Sequence, residues 1–249
     1  MNEHRFPYEW YLKDGFPAQG IPNHGRTVFG TFLCGGGSSM GYKLAGFHHL
    51  GGVELDEAVA KDYRANLNPE HLFLMDIRDF NDIPKEELPP ELFNLDILDG
   101  SPPCSTFSTA GSRENAWGKE KKFREGQKMQ RLDDLVFVYC DTIEKLMPRV
   151  CILENVSGII KGNAKNYSKR IVRRMEEIGY RVQVFCLNAA TMGVPQIRES
   201  VFFIGLRKEF SQLPMLSLSF KEPQVTYRDI CDFDDRSCNL TGLYQKYWY

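Results

Sequence analysis

The stretch Thr27-Val28-Phe29-Gly30-Thr31-Phe32-Leu33-Cys34-Gly35-Gly36-Gly37 decides how the rest of the chain is read. Thr27 to Cys34 reads as a first strand that enters a glycine triple, where a Cβ would obstruct the approach of a ligand to the backbone. Beyond it the pattern alternates. Ser38 and Ser39 are placed to cap a short helix through Ala45, His48 to Glu54 reads as a second strand, and Asp56 opens an amphipathic helix to Leu67. Leu72 to Met75 and Phe93 to Leu98 read as strands three and four. Asp133 to Met147 reads as a helix stopped by Pro148, Val150 to Leu153 as strand five, and Lys165 to Ile178 as a basic helix ended by Gly179. Tyr180 to Asn188 and Ser200 to Arg207 read as two last strands joined through Gly193-Val194-Pro195. Strand-helix alternation of this kind predicts an α/β fold, a mainly parallel sheet with helices on both faces. Ligands bind such sheets at the carboxyl ends of the strands.

Composition narrows the function classes. The chain has 249 residues, 42% hydrophobic and 26% charged, enough for one sizeable core. A formal net charge of −2 excludes a general polyanion binder, so any nucleic-acid surface is local. Seven cysteines (Cys34, Cys104, Cys140, Cys151, Cys186, Cys231 and Cys238) are scattered without CxxC or Cys/His spacing. That pattern predicts reduced thiols in a cytosolic protein, with neither a disulfide framework nor a metal site. Met1 to Trp10 is polar and aromatic, unlike a signal peptide. No apolar run approaches the about 18 residues of a membrane span.

Two further motifs carry chemistry. Ser101-Pro102-Pro103-Cys104 places a thiol in a stiff turn after an apolar run, and Glu154-Asn155-Val156 places a carboxylate at the end of strand five. A sulfur nucleophile that adds to an aromatic ring needs a fixed position and a nearby acid to receive the displaced electrons. At the other end, Glu54 follows the glycine turn by about twenty residues, where a carboxylate accepts both hydroxyls of a ribose, and Asp76 ends strand three, placed for an adenine amine. The GxGxxG spacing of a pyrophosphate site is absent from this turn. An adenosine without phosphates fits better, and S-adenosylmethionine is the natural candidate.

With these motifs in order, the chain from Thr27 to Arg207 closely resembles the DNA (cytosine-5)-methyltransferase family. The family's phenylalanine-and-glycine motif matches Phe32, Leu33, Cys34, Gly35, Gly36 and Gly37, followed by Gly41 and Ala45-Gly46-Phe47. Cys34 stands where the family usually has its first glycine, with Gly35 beside it to absorb the turn. Ribose and adenine contacts carry over to Glu54, Leu55, Asp76 and Ile77. The proline-cysteine motif is Pro103-Cys104 with Phe107-Ser108 behind it, a cofactor-contacting leucine matches Leu135, and the glutamate-asparagine-valine motif is Glu154-Asn155-Val156. The Gln-x-Arg-x-Arg motif appears as Gln196-Ile197-Arg198-Glu199-Ser200, with Ser200 in place of the last arginine.

The resemblance implies a Rossmann-like, S-adenosylmethionine-dependent methyltransferase fold: a mostly parallel seven-stranded sheet with one antiparallel strand. It implies that Cys104 adds to carbon 6 of a flipped cytosine, that Glu154 compensates charge at ring nitrogen 3, and that Arg198 grips the base carbonyl. Asn155 then fixes the loop behind Glu154. The products are 5-methylcytosine and S-adenosyl-L-homocysteine. Double-stranded DNA is the expected partner, held by the basic segment Lys119, Lys121, Lys122, Arg124 and Lys128, while the cations Lys165 to Arg174 read as an exposed helix face.

The expected organisation is an N-terminal extension (1–26), a catalytic and cofactor-binding domain (27–207), and a tail (208–249) leading toward an absent recognition domain. The family's closing Gln-x-Gly-Asn-x-Val segment is not seen either, so the chain is expected to be a catalytic half that needs a second polypeptide, or a fragment cut before the recognition domain. The tail ends in the aromatic residues Tyr244, Tyr247, Trp248 and Tyr249. Alone, the chain is expected to methylate DNA feebly or not at all. The expected location is the cytoplasm, on the nucleoid in a bacterium. Two other readings stand beside this one: a tRNA cytosine-5 methyltransferase of the same fold, and a non-catalytic domain that binds S-adenosylmethionine.

Overall fold

Strand and helix alternate in the order β1 (Thr27–Thr31), α1 (Gly37–Leu44), β2 (His48–Glu54), α2 (Glu57–Leu67), β3 (His71–Leu74), α3 (Ile77–Asp82), β4 (Ile97–Gly100), α4 (Leu135–Leu146), β5 (Val150–Val156), α5 (Lys165–Ile178), β6 (Tyr180–Asn188) and β7 (Glu199–Arg207). The structure, a computed structural model, describes residues 21–103, 134–226 and 229. Its seven strands form one sheet in the order β3-β2-β1-β4-β5-β7-β6. The pairs β2–β3, β1–β2, β1–β4 and β4–β5 are parallel, and β7 runs antiparallel to β5. The chain falls into two units, Met1–Cys186 with Ser200–Leu216, and Leu187–Glu199 with Ser217–Tyr249.

Local chemistry explains the boundaries. Asp56 caps α2 by accepting from the Ala58 and Val59 amides, and Gly179 ends α5 at φ 119°, where a side chain would be strained. α4 stops one residue earlier than expected, because Met147 itself takes the left-handed capping conformation before Pro148. The expected strand over Phe93 to Leu98 is instead a short 3-10 turn over Pro90–Asn94 followed by β4, since Pro89 and Pro90 fix a turn at that point. β1 ends at Thr31 rather than Cys34, because Phe32 (φ 57°) and Cys34 (φ 48°) leave the extended region. β5 runs on to Val156, because β7 pairs it as far as Val156↔Ser200. Glu154 therefore lies inside a strand rather than at its end.

The main core lies between the sheet and α3, α4 and α5. Phe29 stacks on Phe80 at 5.8 Å, and Phe73 meets Phe80 edge-on at 5.0 Å. From α4 the buried Tyr139 donates a bifurcated hydrogen bond to the carbonyls of Leu98 (2.9 Å) and Ile152 (2.8 Å), fastening the helix across β4 and β5. Ile143, Leu146, Ile171 and Met175 fill the space beside it. Among the described residues, no helix is long and apolar enough to cross a membrane, and no cluster of side chains could hold a metal ion.

Candidate active site

The strand order reverses between β1 and β4, and this switch point is where an open parallel sheet leaves a crevice at its carboxyl edge. The glycine triple leaves β1 there, and Ser101-Pro102-Pro103 leaves β4 beside it. The three glycines have different reasons to be glycine. Gly36 has φ 84°, and a Cβ on it would sit 2.3 Å from Leu67 Cδ1, so the fold itself demands it. Gly35 and Gly37 have ordinary φ values and nothing within 4 Å of an added Cβ. Their bareness leaves room that the protein does not fill, as a bound ligand requires.

The turn is not absorbed by Gly35, as expected from sequence, but by Cys34 in the left-handed region, at a cost of about 1 kcal/mol. That geometry aims the Cys34 amide at Glu54 Oε2 (2.9 Å), while Glu54 Oε1 accepts from the amides of Leu55 and Asp56, both at 2.9 Å. The carboxylate thus ties the glycine loop to the end of β2. Oε1 accepts from two amides and Oε2 from one, which leaves an acceptor site on Oε2. Leu55 beside it is a 41% exposed apolar side chain, available to pack on a base. Asp76 caps α3 through the Arg78 amide (2.8 Å) and pairs with the Arg78 guanidinium. Ile77, Leu33 and Leu135 are buried in hydrophobic clusters, whereas Phe32 is partly exposed at the edge of the core. Ser38 and Ser39 do not cap α1. Gly36 holds that position, and the two hydroxyls bond elsewhere.

On the β4 side, Gly100 is hemmed in: a Cβ would lie 2.4 Å from the Tyr139 ring and 2.7 Å from Thr31 Oγ1. Asn155, 2% exposed, donates from Nδ2 to the Pro102 carbonyl (3.2 Å) and accepts on Oδ1 from the Val156 amide. It therefore locks the segment leading into Cys104 to the strand carrying Glu154. Glu154 is half-buried, and among the described residues its carboxylate has no hydrogen bond or ion pair. Cys104, Phe107 and Ser108, the basic segment Lys119 to Lys128 and the terminal aromatics lie outside the described residues. Cys140 and Cys151 are buried; burial pushes the Cys140 thiol up to about 12 and the Cys151 thiol well above its ordinary value, so neither is a nucleophile.

Sequence reasoning missed Asp99. It is 6% exposed, accepts from Ser38 Oγ on Oδ2 (2.8 Å) and from Tyr42 Oη on Oδ1 (3.3 Å), and so joins α1 to the strand that leads to Pro103. Burial raises its pKa to about 6; the two hydroxyl bonds work against the rise, and the charge of Glu154 adds to it. Asp99 pairs in register with Ile152 of β5, which puts its side chain on the same sheet face as Glu154 two residues on. The available signal was an acid directly before Gly100 in a strand covered on both faces.

Arg198 lies in the second unit. It is exposed, its carbonyl accepts from the Ala189 amide (2.9 Å), and its guanidinium has no partner among the described residues. Within the same unit Asn188 caps the Ala189–Met192 turn. On α5, Arg170 lies over the Phe137 ring at 4.9 Å and Arg174 pairs with Asp141 and Glu144 of α4, so two of that helix's cations serve packing.

A doubly wound sheet with a bare glycine loop and an acid-bearing strand meeting at its switch point has the architecture of the Rossmann-like methyltransferases. The family described as C-5 cytosine-specific DNA methylase matches residues 28–245, beyond the Arg207 limit read from sequence, and the chain belongs to that family. Similar proteins include the type II methyltransferase M1.HphI of Haemophilus parahaemolyticus, 30% identical over 80% of this chain and 49% of that protein. M.FnuDI of Fusobacterium nucleatum is 31% identical over 84% and 56%. Among solved structures, a protein encoded within an E. coli prophage superposes with a TM-score of 0.60 at 22% identity, covering 82% of this chain and 53% of that one. Spodoptera frugiperda DNMT2 gives 0.52 at 18%, covering 78% and 53%. The chain spans about half the length of the curated relatives it matches. Enzymes of the family use S-adenosylmethionine as methyl donor. The room at Gly35 and Gly37, the open acceptor on Glu54 and the exposed Leu55 fit its adenosine and amino-acid parts.

Proposed function

We propose that this chain is the cofactor- and base-binding part of an enzyme that methylates carbon 5 of cytosine in double-stranded DNA. Residues 27–207 form that part, 1–26 an extension, and 208–249 the approach to a DNA-reading region on the same or a second polypeptide. Bound S-adenosylmethionine supplies an electrophilic methyl group, held by Phe32, Gly35, Gly37, Glu54, Leu55, Asp76 and Pro103. The Cys104 thiolate adds to carbon 6 of a flipped cytosine and makes carbon 5 nucleophilic. Glu154 holds a proton toward ring nitrogen 3, and Arg198 donates to the base carbonyl. Once carbon 5 is methylated, its proton passes to water and the Cys104 thiolate is expelled as the 5,6 double bond re-forms. The seat of this activity is the cytoplasm, at the nucleoid of a bacterial cell.

The observation that carries the reading is the bond from Asn155 to the Pro102 carbonyl, which couples the segment before Cys104 to the strand of the free Glu154 carboxylate. A duplex bearing 5-fluorodeoxycytidine tests it, because fluorine at carbon 5 cannot leave and the covalent adduct accumulates. The wild-type chain, with S-adenosylmethionine, is expected to give an adduct stable to denaturation. Cys104→Ser should give none, and Asn155→Ala about 100-fold slower trapping from loss of positioning. An undiminished adduct with Cys104→Ser overturns the assignment. Adduct formation that appears only on adding the DNA-reading region places the missing function there.

A further inference from the structure

The helix that follows the glycine loop is docked by a polar cluster, and that cluster centres on a carboxylate. Ser38 and Tyr42, one turn apart on α1, both donate to Asp99, and Tyr63 of α2 donates to Ser39 at 2.9 Å. Ser38 is exposed at the mouth of the crevice, next to the bare Gly37, so Asp99 lies one hydrogen bond beneath the surface a ligand would cover. In the other direction Asp99 belongs to the strand that delivers Ser101–Pro103. Asp99 therefore joins the helix that follows the glycine loop to the strand that leads to Pro103. Around Asp99 the charged and titratable groups are Tyr42 from α1, Tyr63 from α2, Tyr139 from α4 and Glu154 from β5; its β1 neighbours, Gly30 and Thr31, carry none. Among the described groups named here no cation balances it.

We propose that Asp99 is a specificity-determining residue for the methyl donor: its carboxylate favours the cationic sulfonium of S-adenosylmethionine over the uncharged thioether of the product, S-adenosylhomocysteine. The inference rests on the cofactor reading of the glycine loop given above. A buried negative charge in a medium of low dielectric stabilises a nearby cation, and loss of that cation on transfer removes the attraction, which favours product release. The amino-acid and adenosine parts are common to both ligands, so the ratio of their affinities isolates the charge.

Calorimetric titration of the full 249-residue chain with each ligand, between pH 5 and 7.5, tests this. For the wild type, the preference for S-adenosylmethionine is expected to rise roughly tenfold across that range, as Asp99 ionises. Asp99→Asn should bind both ligands with a ratio that is lower at pH 7.5 and independent of pH. Glu154→Gln should keep the pH dependence and move its midpoint downward. A merely structural role for Asp99 would weaken both ligands together and leave the ratio unchanged. A wild-type ratio that is flat with pH, or an Asp99→Asn ratio equal to wild type at pH 7.5, overturns the inference while leaving the cofactor site intact. Failure of the wild type to bind either ligand overturns the cofactor reading and the inference with it. If Asp99→Asn does not fold, the wild-type and Glu154→Gln profiles decide.

Discussion

Helix α4 buries seven residues against the sheet, apolar except for Thr142 and the Tyr139 hydroxyl, whereas α1 buries only Ser39 and Leu44. The first helix is held by area removed from water, the second by hydrogen bonds to Asp99 and Tyr63. Apolar docking is insensitive to charge and supplies stability. Polar docking in a low-dielectric setting responds strongly to protonation and to an arriving ligand. The wet face lies under the glycine loop and the dry face away from it, so rigidity and responsiveness are assigned to different halves of one sheet.

The largest expected effect tests the dry half. Ile143→Ala should lower stability by about 3 kcal/mol in urea unfolding, through lost burial and a residual cavity. A loss below about 1 kcal/mol would mean that α4 is not docked as described. On the wet half, Gly36→Ala should destabilise by about 2 kcal/mol, given its φ of 84° and the contact with Leu67. Gly35→Ala should leave the melting temperature nearly unchanged and weaken S-adenosylmethionine binding instead. Equal melting temperatures for the two variants would erase the distinction within the triple.

The pH dependence of stability sharpens the contrast further. Asp99 binds its proton more tightly folded (about 6) than unfolded (3.8), so its contribution falls as pH rises through that window. His49 of β2 behaves oppositely. The Gly51 amide donates to its Nδ1, its Nε2 is buried without a partner among the described residues, and burial holds its pKa at about 4 against an ordinary 6.5. Its contribution is complete above pH 6.5 and is lost as pH falls through about 4. The two contributions, each about 3 kcal/mol, oppose one another in the wild type. Denaturant titrations of Asp99→Asn should show stability rising between pH 4 and 6.5, and His49→Gln should show it falling between pH 4 and 6. Parallel slopes in the two variants would contradict the pair. The smallest effect is a gain: Cys34→Gly should stabilise by about 1 kcal/mol by relieving the left-handed backbone, read as a higher urea midpoint.

Much of this was legible in the chain before folding. The bounds of β2, the start of α2 and the end of α5 follow from strand composition, an acidic cap and a terminal glycine, all signals carried within a few neighbouring residues. The motifs around Cys34, Glu54, Pro103 and Glu154 are equally local, and their order along the chain points to the family by itself. Strand four was misread because a proline turn and an apolar run look alike without their partners. β5 was read too short because its last three residues owe their pairing to β7.

Local chemistry written along the chain was enough for the alternation of elements, the glycine loop and the motifs that mark the family. Contacts across long sequence separations decided the rest. Asp99 acquires its role from Ser38 and Tyr42, 61 and 57 residues away, and Asn155 from Pro102, 53 residues away. A carboxylate has no fixed acidity of its own: burial and neighbouring charge set it, and those exist only once the sheet has brought β1, β4 and β5 side by side.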